Sequence, residues 1–235
     1  MPPTLVLLHG FTQTRQSWRR TIATLGGRRR ALAPDLPGHG HAAARPASFP
    51  ACTGYVRALG GEHFARAGYS MGGRIALHAA LALGDRVDRL VLIGASPGIS
   101  DPAERAARRA SDEALADRIE AIGVEAFARE WAALPLWEGQ SERVAAAAHA
   151  DRLRNTADGL AAALRGLGTG VMEPLWDALP SLRVPVTLAV GERDEKFLAI
   201  AERMAAVLPR CEVVVIEGAG HAAQLEAPDA VAALL

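Results

Sequence analysis

Gly68-Tyr69-Ser70-Met71-Gly72-Gly73 is the stretch on which the reading of this chain turns. It is a G-x-S-x-G motif between a short run, His63–Ala67, and an Ala- and Leu-rich stretch, Met71–Leu83, that reads as a helix. The run is a poor strand by itself, since Arg66 interrupts it, and the motif directly after it is the main reason to place a strand there. A sharp strand-to-helix turn at the serine would strain its backbone and expose its hydroxyl. Gly68 and Gly72 leave room for the backbones to pass closely. The free N–H groups that open the helix favour negative charge developing beside the hydroxyl. An ordinary glycine-rich turn can carry the same letters, so the motif needs partners.

A serine becomes reactive when a base takes its proton and a carboxylate orients that base. Working outward from Ser70, Gly191-Glu192-Arg193-Asp194 follows an apolar run, Val186–Val190. Gly218-Ala219-Gly220-His221 follows another, Val213–Ile216. Both candidates thus fall in loops at the C-terminal ends of strands, where ligands bind in open α/β sheets. Ser70, Asp194 and His221 are the expected triad. Asp101, placed after Leu90–Ile93, is the rival acid, and Glu192 and Glu195 read as solvated. An oxyanion hole needs two N–H groups. Met71 follows the nucleophile, and Phe11 stands in His9-Gly10-Phe11 after the first strand; these are the expected donors.

The rest of the chain fits that frame. Apolar runs at Thr4–Leu8, Ala31–Ala33, Leu90–Ile93, Val186–Val190 and Val213–Ile216 read as buried parallel strands. Helical stretches alternate with them, at Ser17–Leu25, Met71–Leu83, Phe197–Leu208 and from Asp229. This alternation predicts an α/β fold, a mostly parallel sheet with helices on both faces. From about Gly98 to Leu179 no strand pattern occurs, which predicts a helical cap: core 1–97, cap 98–180, core 181–235.

With 235 residues, half of them hydrophobic, the chain can bury a sizeable core. Its 26 basic and 26 acidic residues cancel, which gives no general attraction to nucleic acid or an anionic membrane. Cys52 and Cys211 form no metal or redox motif. No stretch has the apolar length of a membrane span and the N-terminus lacks a signal pattern, so the expectation is a cytoplasmic protein. His39 and His41 flank Gly40 without a nearby third ligand, and neither a metal nor a cofactor is expected. Lys196 is the sole lysine, so a single arginine in this chain is weak evidence of a site.

Leu8-His9-Gly10-Phe11, Asp35-Leu36-Pro37-Gly38-His39-Gly40, the Ser70 elbow, Gly191–Asp194 and Gly218–His221 together resemble the α/β-hydrolase superfamily along almost the whole chain. The resemblance begins at what would be the third strand of a full-length member. A narrower resemblance is to the 2-succinyl-6-hydroxy-2,4-cyclohexadiene-1-carboxylate synthases of menaquinone biosynthesis. It rests on Tyr69 and Arg74 around the elbow, Pro97-Gly98-Ile99 with Ala103–Arg109, and Asp194-Glu195-Lys196-Phe197. Leu153-Arg154-Asn155 and Leu164-Arg165-Gly166, ahead of Gly168-Thr169-Gly170 and Pro174-Leu175-Trp176, add to it. Members often carry a second histidine where Gln224 stands.

This resemblance implies a lyase that eliminates pyruvate from a small substrate with three carboxylates. It places Arg74, Arg108 and Arg154 as carboxylate clamps, since a planar guanidinium binds carboxylates bidentately. It also gives Trp131 as a cap wall and Tyr69 as a hydroxyl near Ser70. Plainer readings stand beside each: surface helix residues for the arginines, packing for Trp131 and Tyr69. A serine carboxylesterase with the same triad is the alternative activity, and a non-catalytic binding protein would not need the triad.

Overall fold

The computed structural model describes residues 4–60 and 62–235. One parallel sheet organises it, built from β1 (Thr4–Leu8), β2 (Ala31–Leu32), β3 (Phe64–Tyr69), β4 (Val87–Ile93), β5 (Val186–Gly191) and β6 (Cys211–Ile216). Their order is β2-β1-β3-β4-β5-β6. Side chains alternate between faces along each strand. Val6, Leu8, Phe64, Leu90, Leu92 and Leu188 face one cluster, which α2 (Phe49–Gly60), α3 (Met71–Leu83) and α7 (Glu195–Ala205) cover. Leu5, Leu7, Ala67, Val91 and Ala189 face the other, closed by Trp18 and by α1 (Arg19–Leu25), α8 (Ala223–Glu226) and α9 (Pro228–Ala233). Burial on both faces explains why the strands read as continuous apolar runs.

Arg66, which spoils the apolar run at 63–67, is nonetheless inside β3 and fully buried. Its guanidinium lies 4.0 Å over the Phe64 ring. Burial, with Arg86 nearby, pushes its pKa down to about 9. The α2 helix was not legible in the sequence, because Pro50 and Gly54 interrupt its pattern.

Between β4 and β5 the described residues contain no strand. The chain instead forms α4 (Pro102–Ala132), α5 (Glu142–Arg152) and α6 (Ala157–Leu167) before returning to pair β5 with β4. Asp101 caps α4, accepting the Glu104 N–H at 2.8 Å. That task and its exposure set it apart from the triad. Gly123, at φ 75° and ψ 167°, breaks α4 in two. Ala116, Ile119 and Phe127 of α4 pack on Leu160, Ala161 and Leu164 of α6, and Phe11 joins them from below. The helical segment therefore sits on the loop that follows β1.

Candidate active site

Ser70 occupies the turn between β3 and α3 at φ 49° and ψ −110°. Close approach enforces this bend. A Cβ on Gly68 would strike the Gly72 carbonyl, and one on Gly72 would strike the Leu8 carbonyl. Only glycine lets β1, β3 and α3 meet so tightly. Ser70 N–H donates to the Ile93 carbonyl at 2.9 Å, which fixes the turn to the end of β4.

The loops after β5 and β6 bring the other two groups. They touch at Gly191, where a side chain would meet the Ala219 carbonyl at 2.5 Å. Asp194 opens α7, and its Oδ2 lies 2.6 Å from His221 Nδ1. His221 Nε2 lies 3.3 Å from Ser70 Oγ. Asp194 and His221 are both buried. The imidazole is packed 4.6 Å from the Phe197 ring and 5.3 Å from that of Tyr69. Here Asp194 accepts from Nδ1–H, so Nε2 is left to accept from the Ser70 hydroxyl. The three side chains predicted from sequence are thus in hydrogen-bonding sequence.

Ser70 opens into a cavity of about 290 Å³, lined among others by Phe11, Met71, Arg74, Arg108, Trp131 and Lys196. Among the described residues the N–H groups of Phe11 and Met71 have no protein acceptor. Met71 is the first residue of α3, where N–H groups have no partner within the helix. The Gly10–Phe11 peptide is fixed through its carbonyl. Gln13 N–H donates to Gly10 O at 3.2 Å, and His9 Nδ1 lies 2.9 Å from it. Because His9 Nε2 accepts the Leu36 N–H at 2.9 Å, its proton sits on Nδ1 and donates to that carbonyl. Burial holds His9 below the usual imidazole pKa, and His39 is pushed down to about 3 for the same reason. His39 Nε2 accepts the Thr12 N–H at 3.3 Å. His9 and His39 are neutral braces of the loop. Among the described residues no group of three metal-ligating side chains gathers.

The cationic residues divide. Arg74 is buried one turn after Ser70, and its Nη1 donates to the Leu167 carbonyl at 2.5 Å. Burial, then repulsion from Arg108, brings its pKa down to about 10, which leaves it charged at neutral pH. Arg108 Nε pairs with Asp112 at 2.7 Å, with its side chain half exposed at the cavity wall. Trp131 stands edge-on to Phe11 at 5.5 Å. Arg154 does not join them. It lies after the end of α5 with 59% of its side chain exposed, in a separate groove with Arg19 and Arg20. The buried residues of α5 are Val144, Ala148, Asp151 and Arg152, and Arg154 lies beyond them in a turn closed by its N–H on the Asp151 carbonyl at 3.1 Å. Tyr69 packs with its ring 5.3 Å from that of His221. It is buried beneath Gly10, whose added Cβ would meet its Cε1 at 2.5 Å, and does not line the cavity.

Sequence reading missed Lys196 at the cavity and the buried Arg152, whose guanidinium sits 5.4 Å over the Trp137 ring. The signal for Lys196 was present: one lysine in an arginine-rich chain, two residues after the acid. Gln224, the departure from the family pattern, is buried and donates to Gln13 Oε1 at 3.1 Å. It thereby braces the loop that holds Phe11.

Comparisons with known proteins agree with this architecture. A profile described as the alpha/beta hydrolase family matches residues 5–234. A putative 2-succinyl-6-hydroxy-2,4-cyclohexadiene-1-carboxylate synthase of Bacillus subtilis (strain 168) is 37% identical over 236 residues, 95% of this chain and 85% of that protein. The structure of MenH from S. aureus superposes with a TM-score of 0.92 at 32% identity, covering 99% of this chain and 91% of that one. A malate-bound thermophilic esterase from Thermogutta terrifontis superposes with a TM-score of 0.82 at 25% identity, covering 100% and 88%. Matched along nearly its whole length, the chain belongs to the alpha/beta hydrolase family, and its similarity within that family runs to the 2-succinyl-6-hydroxy-2,4-cyclohexadiene-1-carboxylate synthases.

Proposed function

We propose that the protein is a 2-succinyl-6-hydroxy-2,4-cyclohexadiene-1-carboxylate synthase, a carbon–oxygen lyase that eliminates pyruvate from 2-succinyl-5-enolpyruvyl-6-hydroxy-3-cyclohexene-1-carboxylate. The observation that carries this reading is the placement of Arg74 and Arg108 in the same 290 Å³ cavity as Ser70. A cavity for neutral esters has no use for two guanidinium groups, whereas a substrate with three carboxylates does. The similarity to the Bacillus subtilis protein supports the same reading.

The chemistry follows from the substrate. The ring proton beside the succinyl ketone is the acidic one. The Ser70–His221 pair removes it, with Asp194 stabilising the imidazolium. Charge develops on the ketone oxygen, where the Phe11 and Met71 N–H groups are placed to receive it. The electrons then move through the ring, forming two conjugated double bonds as the carbon–oxygen bond to the enolpyruvyl group breaks. Pyruvate leaves as its enol form, regains a proton and becomes the keto acid. Arg74 and Arg108 hold the carboxylates, and the segment 98–180 acts as the cap that encloses them.

The esterase reading is the alternative, since the same serine and oxyanion donors suit acyl transfer and a malate-bound esterase shares the fold. Pyruvate release separates the two. The purified protein, given the enolpyruvyl substrate made in situ, should release pyruvate much faster than Ser70→Ala under identical conditions, with lactate dehydrogenase as the reporter. Labelled water should leave no oxygen in the ring product. Rapid hydrolysis of neutral p-nitrophenyl esters without accelerated pyruvate release would leave the esterase reading standing.

A further inference from the structure

The loop after β1 carries the Phe11 N–H, and its next residue is held in an unfavourable conformation. Thr12 has φ 67°, and among the described residues only Thr12 and Ser70 are non-glycine residues with a left-handed backbone. Such a residue persists where its surroundings over-determine it. Part of the support comes from the loops of the sheet, through His9 and His39. The rest comes from the helical segment. Asn155, the only asparagine of the chain, donates from Nδ2 to the Thr12 carbonyl at 2.8 Å. Its Oδ1 accepts the Gly40 N–H at 3.0 Å, and Nδ2 also donates to the Arg152 carbonyl at 3.1 Å. Further along the same loop, Thr14 gives its N–H to Asp151 at 2.9 Å and its hydroxyl to the same carboxylate. Asn155 is buried, and it does not line the Ser70 cavity.

We propose that Asn155 is a positioning residue for the oxyanion hole: by fixing the Thr12 carbonyl from the α5–α6 junction, it makes the direction of the Phe11 N–H depend on how the helical segment is seated. The amide suits this task because it gives and accepts at once, joining Thr12, Gly40 and Arg152. A carboxylate would keep the bond from Gly40 and set an oxygen against the Thr12 carbonyl. This inference rests on the reading of Ser70 and its oxyanion donors, and not on which substrate they serve.

The test therefore uses a probe of Ser70 that needs no natural substrate. A fluorophosphonate phosphonylates the serine hydroxyl with loss of fluoride, and the phosphoryl oxygen requires the same N–H donors. Asn155→Ala should lower the saturating inactivation rate about 10- to 100-fold, as expected when a donor is misdirected. The half-saturating probe concentration should change less than about threefold. Asn155→Asp should be slow where its carboxyl is ionised and recover toward the wild-type rate as acid protonates it and restores a donor to Thr12. Circular dichroism and a cooperative melt would establish that each variant is folded. If Asn155→Ala fails to fold, Asn155→Asp decides by its pH profile. A folded variant reacting within about threefold of wild type, or an Asn155→Asp rate ratio independent of pH, would overturn the proposal. Failure of pyruvate release in the wild type would touch only the substrate assignment.

Discussion

Arg74 on α3 reaches across to the end of α6 and donates to the Leu167 carbonyl at 2.5 Å. The guanidinium is thus oriented by the helical segment while it lines the cavity. Holding one of its donors on the protein leaves the remaining N–H groups aimed in a fixed direction.

That arrangement predicts different fates for three arginines. Arg74→Ala and Arg108→Ala should each lose about 30- to 1000-fold in kcat/KM on the multiply carboxylated substrate. Their reaction with a neutral fluorophosphonate should change far less. Arg154→Ala should stay within about twofold in both assays, because an exposed ion pair contributes little. Steady-state kinetics of the three variants checks this. A large loss for Arg154→Ala would place that side chain in the cavity after all.

Ser70→Ala should lower turnover by several orders of magnitude and leave the fold intact, since triad members act as a unit. Asp194→Asn should also be severe, because His221 would lose the partner 2.6 Å away that orients it. Single-turnover pyruvate release measures both. A residual rate above about a tenth of wild type for Ser70→Ala would remove the serine from the mechanism.

Acid should weaken the fold through the loop histidines. His9 and His39 are buried, and burial holds both below the usual imidazole pKa, His39 at about 3. Their folded values are depressed, so below the unfolded value near 6.5 the unfolded chain binds more protons. Their contribution to stability is complete above that pH and is lost as pH falls toward the folded values. Each histidine adds a slope of up to about 1.4 kcal/mol per pH unit. Urea midpoints between pH 7 and pH 5 should fall accordingly, and His39→Gln should reduce the slope. An unchanged slope in that variant would count against this account.

Gly72→Ala should be poorly folded. Its Cβ would meet the Leu8 carbonyl and lie 2.5 Å from that of His9, and backbone cannot yield as a flexible side chain can. The expected destabilisation is about 1–3 kcal/mol or more, read from thermal melts. Gly54→Ala, with nothing within 4 Å of an added Cβ, is the control.

The parts of this molecule legible in its sequence are those set by short-range chemistry. The elbow glycines, the order Ser70, Asp194, His221, and the apolar strands each carry a local signature. Strand ends moved by a few residues, as with β4, which starts at Val87 and not Leu90. What could not be read depends on long-range packing. Arg154 reads as a clamp because nothing local in the sequence shows that α5 ends at Arg152 and leaves position 154 in a turn facing solvent. Tyr69 alternates with Ser70 at the end of a strand, and only the proximity of Gly10 shows that its ring is underneath. We propose that 98–180 is a helical cap inserted between the two parts of the core, 1–97 and 181–235.

The left-handed backbone at Ser70 has a consequence for how this protein can be improved. A serine at φ 49° is costlier there than glycine, by about 1–3 kcal/mol. Ser70→Gly should therefore melt higher than wild type while losing its chemistry altogether. Selection for thermal robustness alone would erode the nucleophile, so any directed evolution of this scaffold has to screen for turnover at every round.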